Sequence, residues 1–376
     1  MEPATVAQTV KSLRVVLTGG GTGGHLFPGI AICRELAARL PGVEILFIGT
    51  GRPLEHKVIA AVGYRHAIIT VKGFKGMGLV RKMMALGVLP GSVFRAAGIL
   101  WRFNPQIVIG VGGYAAGPVC LAAYLLRIPI CLQEQNLLPG ITNRLLAGLA
   151  RRIYIAFEDQ AARFPTHKVR LTGNPVREEI RRLAARPPAT RPSSPFTLLI
   201  VGGSQGAQGI NRAVAEMLAC ACDQNDIRFI HQTGTDDLER MCQAYRAANL
   251  QADVRAFFDD MDQQYRLADL IVCRAGASTV AELTCIGKPV IFIPFPHAAD
   301  NHQELNARLL VEQGAADMLR EAELSGVLLW EKINHYRTNP DALMRMGVKA
   351  RALGRPDAVV AIVDDMLDRV IPHPRP

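Results

Sequence analysis

The chain has 376 residues, 49% of them apolar and 20% charged, with 34 glycines and 23 prolines. That composition excludes a disordered, collagenous or coiled-coil protein, and the length predicts two domains. No run of about 18 apolar residues escapes interruption by Gly, Pro or Arg, and the start lacks a charged segment followed by a long apolar one, so a cytosolic chain made without a signal peptide is expected. Formal net charge is +10 and one-sided: +11 falls in residues 1–165 and −1 in residues 166–376.

Short β-branched runs alternate with helix-length amphipathic stretches, the pattern of βα units and parallel sheets. The first strand, 14–18, runs into Gly19, Gly20, Gly21, Thr22, Gly23, Gly24 and His25, with a helix expected over 30–40. Glycines let the backbone come close to a ligand and leave N–H groups at a helix start for an anion or a transition-state charge. His25, directly after them, is either a structural histidine or a general base. The second strand, 44–48, ends in Phe47-Ile48-Gly49-Thr50, without the acid that a dinucleotide site needs, which argues against NAD. No Lys-Ser or Lys-Thr follows the glycines, which excludes a Walker-type phosphate loop.

Residues 56–133 hold nine Lys or Arg and no carboxylate, a field that attracts something anionic. Within it, 73–103 interleaves bases with apolar residues that include Phe74, Met77, Met83, Met84, Phe94 and Trp101. The mixture suits an anionic lipid surface, or else a solvated basic face on a core helix. Few aromatics and no binding motif speak against nucleic acid. Strands follow at 107–110, 129–132 and 152–155. Gly112-Gly113-Tyr114 and Glu134-Gln135-Asn136 come after the first two, where open α/β sheets bind ligands. The basic, proline-rich stretch 177–195 reads as a linker.

A second strand series is expected at 196–201, 227–231, 254–257, 270–273 and 290–293. The first of these enters a glycine turn whose Ser204 offers a hydroxyl and amides to a phosphate oxygen. After 270–273, Gly276, Ala277, Ser278, Thr279, Val280, Ala281 and Glu282 form a turn and helix start. Its amides suit a diphosphate, and Glu282 is either the acceptor of two ribose hydroxyls or an exposed helix acid. Phe257-Phe258-Asp259-Asp260-Met261-Asp262 looks like a carboxylate metal site but reads better as a helix start capped by Asp259 or Asp260. Polar residues clustered after 290–293, Gln303 among them, suit hydroxyl recognition on a sugar. The last stretch, 356–370, reads as an amphipathic helix that packs back on the first domain. Eight cysteines without a CxxC pair predict neither disulfides nor a zinc site.

Eight segments in order, GGGTGGHLFPGIAI, GVGGYAAGP, EQNLLPGITNRLL, GNPVR, VGGSQGAQGIN, FFDDM, CRAGASTVAEL and IPFPHAADNHQELNA, resemble the MurG family, the peptidoglycan N-acetylglucosaminyltransferases of the GT-B fold, over nearly the whole chain. The resemblance implies an α/β protein of two tandem Rossmann-like domains facing across a cleft. Residues 1–176 would form the acceptor and membrane-associating domain, onto which 356–376 packs, and 177–355 the UDP-sugar domain. It implies transfer of N-acetylglucosamine from UDP-N-acetylglucosamine to the muramoyl 4-hydroxyl of undecaprenyl-pyrophosphoryl-MurNAc-pentapeptide (lipid I), giving lipid II with inversion. Carried over, Thr22, Gly23, Gly24, His25 and Asn136 face donor sugar and acceptor, with His25 or Glu134 the base and Tyr114 assigned to the acceptor. Arg177, Ser204, Phe258, Gly276 to Ala281, Glu282 and Gln303 hold UDP-N-acetylglucosamine. No cofactor or metal is implied. The implied setting is the cytoplasmic face of the inner membrane, bound peripherally to its anionic surface, with other cell-wall and division enzymes as partners and no nucleic acid. The rival readings are a UDP-sugar 2-epimerase, a docking subunit that binds UDP-sugar without turnover, and a glycolipid synthase using diacylglycerol.

Overall fold

Strand β1 (Arg14–Thr18) buries Val15, Val16 and Leu17 completely, as a parallel strand covered on both faces must. Alternation then sorts its side chains: Val15 and Leu17 join one core layer, Val16 the other. The computed structural model describes residues 13–20, 23–71, 79–158, 163–186, 192, 194–203, 206–219 and 226–371, the side chains of 79–88 and 299 excepted.

The chain separates into two compact units. The first runs to Glu134, takes in Pro139–Thr172 and ends with the segment from Val359 on. After β1 come α1 (Gly23–Arg39), β2 (Glu44–Gly49), α2 (Pro53–Val62), β3 (Arg65–Ile68) and α3 (Leu79–Phe103). Then follow β4 (Ile107–Gly110), α4 (Ala116–Leu125), β5 (Ile130–Glu134), α5 (Ile141–Leu146), β6 (Arg152–Ile155) and β7 (Val169–Leu171). These strands make one parallel sheet in the order β3-β2-β1-β4-β5-β6-β7.

The second unit is Gln135–Leu138 with Gly173–Ala358. It contains α6 (Glu178–Ala184), β8 (Phe196–Val201), α7 (Gln208–Ala219), β9 (Ile227–Gln232), α8 (Leu238–Ala247), β10 (Ala252–Arg255) and α9 (Met261–Leu267). It continues through β11 (Leu270–Cys273), α10 (Ala277–Ile286), β12 (Val290–Phe292), α11 (His302–Glu312), β13 (Asp317–Met318), α12 (Gly326–Thr338) and α13 (Pro340–Leu353). Its sheet is also parallel, in the order β10-β9-β8-β11-β12-β13.

The last helix, α14 (Ala358–Arg369), returns to the first unit, where Val359, Ile362, Val363 and Met366 pack with Val15, Leu17 and Tyr154. A polar clasp fixes its register. Asp365, its carboxylate fully buried, accepts from Arg152 at 2.9 and 3.0 Å, from Arg170 at 2.6 Å and from Tyr154 Oη at 3.0 Å. Those donors hold its carboxyl below the usual aspartate range against the opposing effect of burial.

Three expectations need correcting. The first helix starts at Gly23, seven residues before the expected 30, because Leu26, Pro28 and Gly29 already face the core. The stretch 177–195 is not all linker. It contains α6, whose Ile180 and Ala184 are buried and whose Glu178 pairs with Arg181 and Arg182 at 2.7 and 3.0 Å. Acids in its first turn and bases in its last suit the helix dipole, so the charge density marks a helix. Asp260 does stand at the N-cap of α9, but its carboxylate accepts from the Gln264 side chain at 2.9 Å and makes no side-chain cap.

Candidate active site

In the first unit the chain leaves β1 outward to β2 and β3, then returns to β4 on β1's other side. This reversal opens a crevice at the carboxyl ends of β1 and β4, the usual ligand position in such sheets. Two glycine turns fill it. Gly19 and Gly20 have φ of 132° and 123°, Gly112 and Gly113 of 88° and 80°, all in the region that favours glycine. A Cβ on Gly19 would lie 2.4 Å from the Gly112 carbonyl, and one on Gly113 2.5 Å from the Gly20 carbonyl, so the turns touch backbone to backbone. Gly21 and Thr22 lie outside the described residues. Gly23 and Gly24 form the first turn of α1, and His25, half-buried, follows them.

A Cβ on Gly112 would meet the His25 ring at 3.1 Å and the Asn143 amide nitrogen at 3.5 Å, so imidazole and amide flank one point. Asn143, buried on α5, donates to Glu134 Oε2 at 2.9 Å and to the Gln133 carbonyl at 3.1 Å. Glu134 Oε2 also accepts from the Gly140 N–H at 3.0 Å, and its side chain is 2% exposed. Its carboxylate therefore braces the turn after β5. Tyr114, just past Gly113, is exposed.

Sequence reasoning missed Glu55. It stands at the third position of α2, and its Oε2 accepts from the backbone N–H groups of Thr50, Gly51 and Arg52 at 2.8, 2.9 and 3.3 Å. A Cβ on Gly20 would lie 2.8 Å from its Oε1. The acid sought at the end of β2 thus exists six residues later, spent on backbone; the third-position acid of a capping pattern was the available signal.

The second unit repeats the topology, with its reversal between β8 and β11. Ser204 lies outside the described residues. Gly203 and Gly206 beside it have φ of 85° and 78°. Asn211 on α7 bonds the Thr233 carbonyl at 2.9 Å and the fully buried His231 at 3.1 Å. Burial pushes that imidazole down to about 3, so it is neutral. After β11, Gly276 stands at the N-cap of α10 and makes no side-chain cap bond, and Ala277, Ser278 and Thr279 form the first turn of the helix. Val280 is buried and Ala281 half-buried in the next turn.

Glu282 is no exposed helix acid: it is 8% exposed, accepts from Arg177 Nε at 2.8 Å through one oxygen and from Tyr265 Oη at 3.3 Å through the other. Arg177 and Glu282 of the expected nucleotide residues thus adjoin directly, and the α10 turn joins them through its own helix. Phe258 is buried at 1% exposure beneath Arg255, its N–H taken by Gln232, so its carbonyl is the polar group it has left for a ligand. Gln303 accepts from the Phe295 N–H at 3.0 Å, next to Asp300 and Asn301 at φ of 54° and 55°. Asn136 belongs to the second unit and meets Asn306 at 3.4 Å.

Residues 15–155 match the glycosyltransferase family 28 N-terminal domain and residues 197–362 its C-terminal domain. A UDP-N-acetylglucosamine--N-acetylmuramyl-(pentapeptide) pyrophosphoryl-undecaprenol N-acetylglucosamine transferase of Myxococcus xanthus is 45% identical over 96% of this chain and 94% of its own length. The enzyme of the same name from Geobacter metallireducens is 44% identical over 94% of this chain and 98% of its own. The crystal structure of Acinetobacter baumannii MurG superposes with a TM-score of 0.75 at 31% identity, over 95% of this chain and 99% of that one. This chain belongs to the MurG group of glycosyltransferase family 28. A UDP-GlcNAc 2-epimerase of Neisseria meningitidis, at 13% identity and a TM-score of 0.63 over 95% of this chain and 100% of its own, shares the fold alone.

The outer face of α3 is unusual for a soluble surface. Phe94 and Trp101, seven residues apart and hence on one face, are 85% and 76% exposed, with Arg95 and Arg102 beside them. Ala96, Leu100 and Phe103 turn into the core. Tyr124 and Leu125 on α4 and Ile141 and Leu145 on α5 are exposed as well, residues that the sequence reading did not single out. Residues 72–78, and the side chains of 79–88, lie outside what is described, so the Phe74 to Met84 part of the expected patch does too. No helix of the described residues is long and apolar enough to cross a membrane.

Proposed function

We propose that this chain transfers N-acetylglucosamine from UDP-N-acetylglucosamine to the muramoyl 4-hydroxyl of lipid I, forming lipid II with inversion in a single displacement. Near-full-length similarity to the named transferases carries the reading. The acceptor oxygen attacks the sugar's C1, the bond from C1 to the diphosphate oxygen breaks, and UDP departs with the electron pair. His25 takes the hydroxyl proton. The assignment of His25 over Glu134 rests on the latter's Oε2, which already accepts from Gly140 and Asn143. The start of α10, at Gly276 to Thr279, offsets charge developing on the diphosphate through the positive end of the helix dipole. Glu282 receives the ribose hydroxyls once Arg177 or Tyr265 yields an oxygen, and the Phe258 carbonyl faces the base. Thr22, Gly23, Gly24, Asn136 and Tyr114 serve sugar and acceptor, and Ser204 and Gln303 the donor. UDP release from UDP-N-acetylglucosamine by the purified chain should depend on a lipid I analogue; release without acceptor would contradict transfer and point to epimerase chemistry.

We further propose that the chain works peripherally on an anionic cytoplasmic membrane surface through the outer face of α3. Support comes from nine bases without a carboxylate over 56–133 and from the exposure of Phe94 and Trp101. Buried apolar area and basic charge add at such a surface, each base contributing about 1 kcal/mol. Sedimentation with vesicles containing one-third anionic phospholipid should retain the wild type, and Phe94→Ser with Trp101→Ser should bind roughly tenfold more weakly. Equal binding to neutral vesicles would contradict the electrostatic half of this reading.

A further inference from the structure

Strand β9 lies between β8 and β10, so its carboxyl end alone in this sheet adjoins both the turn that leaves β8 and the turn that leaves β10. Its last residue is Gln232, 2% exposed. The side-chain amide of Gln232 donates through Nε2 to the Gly203 carbonyl at 3.0 Å and accepts through Oε1 from the Phe258 N–H at 3.0 Å. Its main-chain carbonyl takes the Gly202 N–H at 3.1 Å. The orientation of the amide is fixed, because a peptide carbonyl only accepts and a peptide N–H only donates.

We infer that Gln232 is a positioning residue for the UDP half of the donor, acting as a strap that holds the Gly202–Gly203 turn and the Phe258 turn at one spacing. The inference rests on the proposed transferase reading, which gives both turns to UDP-N-acetylglucosamine. The first turn opens with two glycines, whose backbone is permissive, and the second offers its main chain, the Phe258 ring being buried. A group that joins them must donate on one side and accept on the other. The glutamine carboxamide does so at this length; glutamate presents lone pairs to the Gly203 carbonyl, and methionine presents no donor and only a weak acceptor.

The test compares wild type, Gln232→Glu and Gln232→Met by calorimetric titration with UDP and by steady-state transfer with donor and lipid I analogue varied in turn. Loss of one buried hydrogen bond predicts a UDP affinity and a donor KM worse by about tenfold in Gln232→Glu, and worse again in Gln232→Met. Acceptor KM and kcat at saturating donor should stay within about twofold, the signature of lost ground-state binding. A general structural defect would instead lower kcat or raise both KM values together, and that result overturns the strap, as does unchanged UDP affinity. Amide hydrogen exchange on the wild type adds an arm that needs no variant. The Phe258 N–H should exchange as slowly as the β9 ladder without UDP present, and fast exchange there overturns the inference. A wild type that binds UDP but shows no acceptor-dependent release would sink the transferase reading while leaving the strap to be judged on UDP affinity and exchange.

Discussion

Replacing His25 with alanine is expected to lower kcat by about 10²- to 10⁴-fold, the usual contribution of a positioned general base, while UDP affinity stays unchanged. The ring sits where α1 begins, against Gly112, whose φ of 88° and missing Cβ let the β4 turn approach to ring contact. Glu134→Gln should behave differently. Glutamine keeps an oxygen that accepts from Gly140 and Asn143, so the brace survives and activity should remain within about tenfold, whereas removing a base would cost the full factor. Transfer rates at saturating donor and acceptor decide between them. Collapse of Glu134→Gln with His25→Ala retaining activity would move the base to Glu134, and a His25→Ala enzyme within tenfold of wild type would remove His25 from proton transfer.

Asp365→Asn should destabilise the first unit by roughly 3 kcal/mol, since breaking a buried ion pair strands its partners, and lower its Tm by about 10 °C. Asparagine keeps one acceptor oxygen for four donor groups and turns an NH₂ group toward Arg152 or Arg170. The pH dependence has a definite sign. Asp365 has a folded-state value below the unfolded one of about 3.9. Its contribution is therefore complete above about pH 4 and is lost as pH falls through the lower, folded value. Thermal melts of the two proteins should lie apart at pH 7 and converge below pH 4. A constant gap down to acid would mean that the clasp is not what anchors α14.

The parts of the fold that sequence revealed are those whose physics leaves a local trace. Central strands such as β1, β8 and β11 are buried on both faces and so read as unbroken apolar runs. Strands β3, β7 and β13 escaped notice because they are short sheet edges: Arg65 and His66 in the first, Arg170 in the second and Asp317 in the third break the apolar run. The edge strand β10 came out two residues early, at 252 against the expected 254, for the same reason. In the site, Gly19, Gly20, Gly112 and Gly113 were legible because positive φ and backbone contact demand glycine. Gln232, Asn143 and Glu55 were not, since a lone polar residue at a strand end or helix start shows its partners only after folding brings distant turns together. Nor does sequence disclose that Glu282 is already held by Arg177 and Tyr265, 105 and 17 residues away.

The most direct test is the identity of the product formed by purified chain from UDP-N-acetylglucosamine and a lipid I analogue, read by mass and by the proton coupling at the new anomeric centre. Gain of one N-acetylhexosamine on the acceptor is expected, in β linkage to the muramoyl 4-hydroxyl, with one UDP released per product. An α linkage would contradict the single displacement, and UDP released with free N-acetylmannosamine and an unaltered acceptor would contradict the transferase itself.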